Sequence, residues 1–223
     1  MTLTDFKGPK RKTYYDMDPW YLKNSDSGIN DWHQQIDALN SAFQEEISDF
    51  IKNKRPLKII EAACGGGNFT LAYAKPGVKI DAFEFSKIAV EMAKKKDNPC
   101  NVNFYQGDAL SAASYLNRPY DLLVAKDLLH CLIGGDRAVL LNNLRDSVSE
   151  SGSILLSTHI GLPVSNKEIL RGVDPATRVN KISTRIYLDR DAIEAEFGEC
   201  GLKPVKTIVL DEYYAAIYEL VRL

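Results

Sequence analysis

The stretch Leu57-Lys-Ile-Ile-Glu61-Ala-Ala-Cys-Gly65-Gly-Gly67-Asn68 decides the fold, because an apolar run leads directly into three consecutive glycines. The run predicts a buried strand over Leu57–Ala62, and a helix is expected from Asn68 onward. Gly65–Gly67 permit positive φ angles and a close approach of a ligand to the backbone. The amides that open the next helix suit a polar or anionic ligand. A tight turn that binds nothing is the alternative.

Two further predicted strands end at carboxylates. The strand Val78–Glu84 ends in Glu84, at the spacing of about 20 residues where a carboxylate accepts hydrogen bonds from two ribose hydroxyls. The strand Val102–Gln106 is followed by Asp108. Since the carboxyl ends of parallel strands share one edge of a sheet, these groups and the glycines together predict a nucleoside cleft.

Short apolar runs alternate with helical segments from residue 57 onward, which predicts a parallel sheet covered on both faces. The turn between the last two strands is too short for a crossover helix, so they should pair antiparallel. The predicted fold class is α/β, a three-layer Rossmann-like sheet of seven mostly parallel strands with an antiparallel last strand. The other predicted strands are Asp121–Ala125, Ser153–Thr158, Val205–Asp211 and Ala215–Arg222, and the clearest helices between strands are Ser86–Lys96 and Asp136–Ser149.

Two segments lie outside this alternation. Residues 1–56 are predicted to form an N-terminal arm and a cap helix over 29–53, because apolar residues recur there at steps of three and four. Residues 57–223 form the main domain, interrupted by a long connection at 161–190 that is rich in turn-forming residues. The basic residues of that insertion either bind an acceptor carboxylate or form a solvated loop; they are Arg178, Lys181 and Arg185.

The strand-end motifs resemble those of the class I S-adenosylmethionine-dependent methyltransferases over residues 57–158. That family has an E/D-x-G-x-G-x-G loop after the first strand, an acid ending the second and a G-D-A-like turn after the third. The corresponding residues are Glu61-Ala-Ala63-Cys-Gly65-Gly-Gly67, Phe83-Glu84-Phe85 and Gly107-Asp108-Ala109. Ala63 stands where the family has its first glycine, which puts the local backbone shape in question.

The resemblance implies S-adenosylmethionine as the cofactor and assigns parts of it to particular residues. Its methionine part would lie against Glu61 and the backbone from Ala63 through Gly65 to Gly67. Its ribose would bind Glu84, and its adenine would lie between Phe85, Asp108 and Ala109. A nicotinamide dinucleotide fold is the rival interpretation, but its G-x-G-x-x-G fingerprint fails because Thr70 occupies the third glycine position.

Acceptor-side residues should follow the fourth and fifth strands. His130 is the first candidate for a base or orienting group, with a half-buried histidine bonded to backbone as the alternative. His159 is the second candidate, against a plain loop histidine. Lys126 and Asp127 either line the cleft beside the cofactor or form a structural ion pair.

The N-terminal aromatics form either a lid, with the Tyr15 hydroxyl near the sulfonium, or ordinary hydrophobic packing; they are Tyr14, Tyr15, Trp20 and Tyr21. Lys94–Lys96 is expected to be a solvated helix end. The four cysteines form no CxxC pair and the three histidines show no metal-ligand spacing, so no metal is expected.

The expected reaction is methyl transfer to an oxygen or nitrogen of a small molecule in the cytoplasm. A net charge of −2 and the lack of a basic, aromatic-interleaved patch argue against nucleic acid. No apolar run is long enough to span a membrane. The fourth strand also lacks the N/D-P-P-Y/W ending of the family's DNA and glutamine amino-methyltransferases, which argues against a DNA base or a glutamine side chain as the acceptor. A non-catalytic cofactor-binding protein, a methyltransferase acting on a peptide or protein terminus, and a homodimer are left open.

Overall fold

A computed structural model describes residues 18–24, 37–55, 58–100, 102–162, 171–176, 178–180, 185–210 and 213–221. The strands are β1 (Lys58–Ala62), β2 (Lys79–Glu84), β3 (Asn103–Gln106), β4 (Tyr120–Lys126), β5 (Val148–His159), β6 (Leu202–Leu210) and β7 (Tyr213–Leu220). The helices are α1 (Asp18–Asn24), α2 (Asp37–Lys54), α3 (Asn68–Tyr73), α4 (Lys87–Lys94), α5 (Gly135–Ser147) and α6 (Arg190–Glu199). Each predicted strand therefore corresponds to an observed one.

The described strands form one seven-stranded sheet in the order β3-β2-β1-β4-β5-β7-β6. The pairs among β1 to β5 are parallel, whereas β7 runs antiparallel to both β5 and β6. This confirms the predicted fold class, including the antiparallel last strand. Because β1 and β4 are neighbours at the centre, the ends of β2, β1, β4 and β5 lie side by side along one edge.

Both faces of the sheet are covered, because alternate strand residues pack into two separate cores. Ile60 and Leu123 face the core that includes α5 and α6. Ile59 and Leu122 face the core on the side of α2, α3 and α4. Strands with two apolar faces are what a parallel sheet between helices requires. No helix in the described part of the chain is long and apolar enough to cross a bilayer.

The N-terminal segment differs in part from its prediction. The cap helix is described over Asp37–Lys54, and its predicted first residues, 29–36, lie outside the described residues. Helix α1 was not predicted, since seven residues carry too little periodicity to be recognised. Its first residues are typical of a helix N-terminus, because an acid such as Asp18 is favourable in the first turn and a proline such as Pro19 is well accommodated there.

Candidate functional site

The carboxyl ends of β1, β2 and β3 are held together by hydrogen bonds between their loops. The Cys64 amide donates to the Phe83 carbonyl and the Gly107 amide donates to the Glu84 carbonyl, each at 3.0 Å. The glycine loop, Glu84 and the Gly107–Asp108 turn therefore form one contiguous surface. This is the strand edge at which ligands bind in open α/β sheets.

Glu84 lies at the centre of this edge and is 8% exposed. Its two oxygens accept hydrogen bonds from the Ser86 amide at 2.9 Å and the Gly65 amide at 3.1 Å. Burial raises the pKa of this carboxyl, and the amide donors offset part of that rise by favouring the charged form. An ionised carboxylate has about four acceptor positions, so two amides leave capacity for hydroxyl donors such as those of a ribose.

Ala63 has the backbone conformation of the glycine that it replaces. Its φ is 62°, beside 55° at Gly65 and 79° at Gly67. The left-handed turn of the loop is thus kept at a conformational cost, since an L-residue with a Cβ is disfavoured there. At Gly67, an added Cβ would lie 2.9 Å from both Ala93 and the Phe104 ring, so packing alone accounts for that glycine.

Lys96 contacts the glycine loop, which corrects the prediction of a fully solvated helix end. Its Nζ donates to the Gly66 carbonyl at 2.6 Å and to the Asn68 Oδ1. Lys94 and Lys95 are exposed, as predicted. The run of three lysines did not indicate this contact, because the partners of Lys96 lie about 30 residues away in sequence.

Glu61 is buried and joined to α3, since the Tyr73 hydroxyl donates to its Oε2 at 2.7 Å. Burial raises the pKa of Tyr73, and the neighbouring Glu61 charge raises it further. The hydroxyl therefore stays protonated and remains a donor to Glu61 at physiological pH. Glu61 thereby ties the strand before the glycine loop to the helix after it.

The turn after β3 is built from its own polar groups. Asp108 accepts from the Leu110 amide at 2.9 Å, and its amide donates to the Ser114 Oγ at 2.8 Å. The Ala109 carbonyl accepts from the Tyr115 hydroxyl at 3.0 Å. Phe85 is half-buried on the neighbouring β2 end. The structure thus brings all three predicted adenine-side residues to the edge that carries Glu84.

Helix α1 lies against the same edge. Asp18 accepts hydrogen bonds from the Ser86 hydroxyl and, at 3.2 Å, from the Ile88 amide, so it closes the start of α4 beside Glu84. Tyr21 is buried, with 4% of its surface exposed. Tyr14 and Tyr15 lie outside the described residues, so the lid hypothesis stays a prediction for them.

Lys126 and Asp127 form an ion pair at the end of β4, with Nζ and Oδ2 2.7 Å apart. Lys126 is 4% exposed, and its ammonium lies 5.6 Å from the centre of the Phe69 ring. Burial would raise the pKa of Asp127, but Lys126 and the nearby His130 outweigh it and lower the pKa to about 2. The Asp127 carboxylate is therefore charged over the whole physiological range.

The structure places the two candidate histidines in contact. The His130 and His159 rings lie 4.5 Å apart between centroids, at an interplanar angle of 83°. His130 is 3% exposed, and its Nδ1 lies 3.3 Å from the Thr158 Oγ1. Burial lowers the pKa of His130, and the charges of His159 and Arg185 lower it further. His130 is therefore neutral at pH 7.

Tyr213 extends this histidine pair, although sequence reasoning gave it no role. It pairs with His159 in the β5–β7 ladder, and the two rings lie 4.1 Å apart between centroids. The signal was present only indirectly, because the predicted antiparallel tail brings the start of β7 to the end of β5. A cluster of His130, His159 and Tyr213 thus stands beside the β4 end of the cleft.

The described part of the insertion lies over His130. The Ile186 amide donates to the His130 carbonyl at 2.9 Å, and the Gly161 amide to the Leu188 carbonyl at the same distance. Arg178 pairs with Asp189. Lys181 lies outside the described residues. Of the three basic residues of the insertion, the structure therefore describes Arg178 and Arg185.

Metal ligation has no candidate among the described residues, which contain no cluster of three or more His, Cys, Asp or Glu placed to hold an ion.

The strand order and the strand-end site define the Rossmann-like fold of the class I S-adenosylmethionine-dependent methyltransferases. Residues 59–152 match the family model described as "Methyltransferase domain". This segment is therefore a methyltransferase domain of that fold, as the resemblance in the motifs predicted.

Solved structures share the fold across nearly the whole chain. Magnesium protoporphyrin IX methyltransferase from Synechocystis PCC 6803, with bound S-adenosylhomocysteine (SAH), is 17% identical with a TM-score of 0.67, covering 93% of this chain and 100% of that one. The DhpI–SAH complex is 14% identical with a TM-score of 0.71, covering 96% and 100%. At these identities the likeness establishes the fold.

A curated relative is named for an RNA acceptor and not for a small molecule. The tRNA/tmRNA (uracil-C(5))-methyltransferase of Campylobacter jejuni is 26% identical over 203 aligned residues, and the match covers 86% of this chain and 52% of the relative. The chain therefore spans about half the length of this relative.

Proposed function

We propose that this protein transfers a methyl group from S-adenosylmethionine to an oxygen or nitrogen atom of a small-molecule acceptor in the cytoplasm. The contact between the buried His130 and the half-buried His159 is the observation that supports the proposal, because a neutral imidazole at the end of β4 would serve as a base beside the nucleoside-type cleft. The four cysteines are free thiols, which supports a reducing compartment.

The residues present fit the cofactor. Glu84 is already oriented by two amides and keeps acceptor capacity for the ribose hydroxyls. Phe85 and Asp108 would flank the adenine on the neighbouring strand ends. The carboxylates at this edge also favour a positively charged sulfonium over an anionic ligand. When bound, the cofactor supplies an electrophilic methyl group.

The contacts around His130 fit a tautomer in which Nε2 is the basic nitrogen. The Thr158 Oγ1 lies 3.3 Å from the His130 Nδ1 and 3.4 Å from the His159 carbonyl. In the proposed tautomer, Nδ1–H donates to the Thr158 oxygen, the Thr158 hydroxyl donates to the His159 carbonyl, and Nε2 keeps the lone pair. His130 Nε2 would then take the proton that an acceptor hydroxyl or amine loses as its oxygen or nitrogen bonds to the methyl carbon.

The surroundings of His130 support a small acceptor. Ile186 of the insertion contacts the turn that carries His130, because its amide donates to the His130 carbonyl. Arg178 is engaged with Asp189, and the chain carries a net charge of −2. An RNA acceptor is the second candidate, favoured by the name of the Campylobacter jejuni relative.

The experiment has a binding stage and a transfer stage. Calorimetry should show binding of S-adenosylmethionine and of SAH, and none of a nicotinamide dinucleotide. Tritiated methyl groups should then move to members of a library of small phenols, carboxylic acids and amines. Binding without transfer to any acceptor would support the non-catalytic alternative. Tritium label in total RNA or in peptides, and not in the small molecules, would show that the proposed acceptor class is wrong.

A further inference from the structure

Arg137 is a buried cation, and each hydrogen bond given for its side chain goes to the histidine turn or to one carboxylate. It lies in the first turn of α5 and is 3% exposed. Its Nη1 donates to the Leu129 carbonyl at 2.6 Å and lies 3.3 Å from the Leu132 carbonyl. Its Nε donates to the Glu196 Oε1 at 2.9 Å, and its Nη2 to the Glu196 Oε2.

The two carbonyls bracket the residue that the proposed reaction needs. Leu129–Cys131 is a single 3-10 turn, with His130 in the middle and Leu132 immediately after it. The Leu129 carbonyl accepts a hydrogen bond from the Leu132 amide at 3.3 Å, which closes the turn. Arg137 adds a charged donor to the carbonyls of both residues on one side, while the Ile186 amide donates to the His130 carbonyl on the other.

Glu196 holds the guanidinium in place from a different element, α6. The pairing uses two parallel N–H to oxygen hydrogen bonds, an arrangement that fixes the plane and direction of the arginine. A buried ion pair is often no more stable than apolar residues of similar volume. Its contribution here is geometric, because it aims Nη1 at the turn.

We infer that Arg137, held by Glu196, is a positioning residue that sets the His130 ring against Thr158 and His159. This inference rests on the proposed function, in which His130 handles the acceptor proton. Arg137 acts through the Leu129 and Leu132 carbonyls.

Releasing the turn should change the surroundings of His130 in a measurable way. The titratable and charged groups that face it are His159 on β5, Arg185 of the insertion, Asp127 after β4 and Arg137 itself. Loss of Arg137 would remove a charge that lowers the pKa of His130, and a loosened turn would also admit water to the ring, so the pKa would rise toward that of an ordinary histidine.

The test uses a double variant, Arg137→Met with Glu196→Leu, which removes the ion pair and keeps the volume apolar. The control is Arg145→Met with Asp146→Leu, an exposed pair on the same helix joined at 2.7 Å. We expect the test variant to bind S-adenosylmethionine within twofold of the parent and to lose at least tenfold in kcat. The control should keep the parental kcat.

Nuclear magnetic resonance gives a readout that does not depend on activity. The chain has three histidines, so the His130 signals are assigned by their loss in His130→Ala. The double variant should raise the pKa of His130, whereas the control should leave it unchanged. If the double variant does not fold, Arg137→Lys keeps the cation but not the fork, and should show a smaller kcat loss and pKa rise.

The outcomes separate the two proposals. A folded variant with the parental His130 titration overturns the positioning role, whatever its activity. A parent that methylates no small molecule, with a His130 titration that still depends on Arg137, overturns the proposed function and keeps the positioning role.

Discussion

The carboxylate of Glu84 accepts a hydrogen bond from the Gly65 amide at 3.1 Å, which joins the end of β2 to the loop that follows β1. The acid and the glycine loop are therefore one structural unit. The same carboxylate accepts the Ser86 amide at 2.9 Å and so also orients the start of α4. A ligand at this edge would meet a carboxylate that is already oriented.

Replacing Glu84 by Gln should weaken S-adenosylmethionine binding by roughly tenfold or more, as expected for losing hydrogen bonds to a charged group. The amide NH₂ would also face a backbone donor. Calorimetry measures the affinity, and Glu91→Gln on the exposed side of α4 is the matched control. Equal affinity in the two variants would remove Glu84 from the cofactor site.

Replacing Lys96 by Met should lower cofactor affinity roughly three- to tenfold, because the Gly66 carbonyl and Asn68 lose a charged donor that holds the loop. Lys94→Met is the matched control, since Lys94 is exposed and pairs with Glu91. Fluorescence titration with SAH compares them. The loop contact is irrelevant to binding if both variants behave like the parent.

Replacing Ala63 by Gly should stabilise the protein by about 1 kcal/mol, because a φ of 62° strains alanine and not glycine. The neighbouring Ala62→Gly lies in β1 and should destabilise by about 1 kcal/mol. Urea unfolding of both variants measures the free energies. A loss of stability in Ala63→Gly would contradict the strain assigned to this turn.

Replacing His130 by Ala should leave S-adenosylmethionine affinity unchanged and lower turnover at least roughly tenfold, the low end of general-base contributions. In the parent, the depressed pKa of His130 keeps the base unprotonated. Turnover should therefore stay level from pH 8 to about 6.5, the pKa of an ordinary histidine, and fall only in more acidic buffer. Unchanged turnover in the variant would exclude His130 from the mechanism.

Replacing Asp127 by Asn should destabilise the protein at neutral pH, because Lys126 would stay buried beside a neutral group. The folded pKa of Asp127 is about 2, below its ordinary value of 3.8. A carboxyl with a depressed folded pKa stabilises above its unfolded pKa and loses that contribution as pH falls through its folded pKa. The stability gap between parent and variant should thus shrink by about 2 kcal/mol between pH 5 and pH 2.

Chemical denaturation at several pH values measures this gap directly. A gap that stayed constant with pH would show that the aspartate charge does not support the fold.

The strands and the cleft could be predicted because their signals are local. Continuous apolar runs such as Leu122–Ala125 identify buried strands. Because connections between parallel strands are right-handed crossovers, the carboxyl ends of these strands are expected at one edge of the sheet. The resemblance in motifs then indicated what the edge would hold. Helix α1 and the first five residues of β5, before the predicted start at Ser153, were not predicted. A seven-residue helix and a strand that begins with Val148-Ser-Glu show little hydrophobic periodicity.

Contacts between distant segments could not be predicted from spacing. The sequence predicted a solvated Lys96, because its partners Gly66 and Asn68 lie in the glycine loop and at the start of α3, far from it in sequence. Nothing in the sequence indicated a role for Arg137, because its hydrogen bonds to Glu196 and to the Leu129 carbonyl form only when those segments pack around it.

The amino-acid order by itself determined that a glycine loop and two acids end neighbouring strands of a parallel sheet, because hydrophobic period and turn chemistry are properties of short segments. Only the tertiary structure decided which polar groups form the hydrogen bonds that hold that edge together. A hydrogen bond depends on atoms within about 3 Å, and chain folding sets that distance for residues far apart in sequence.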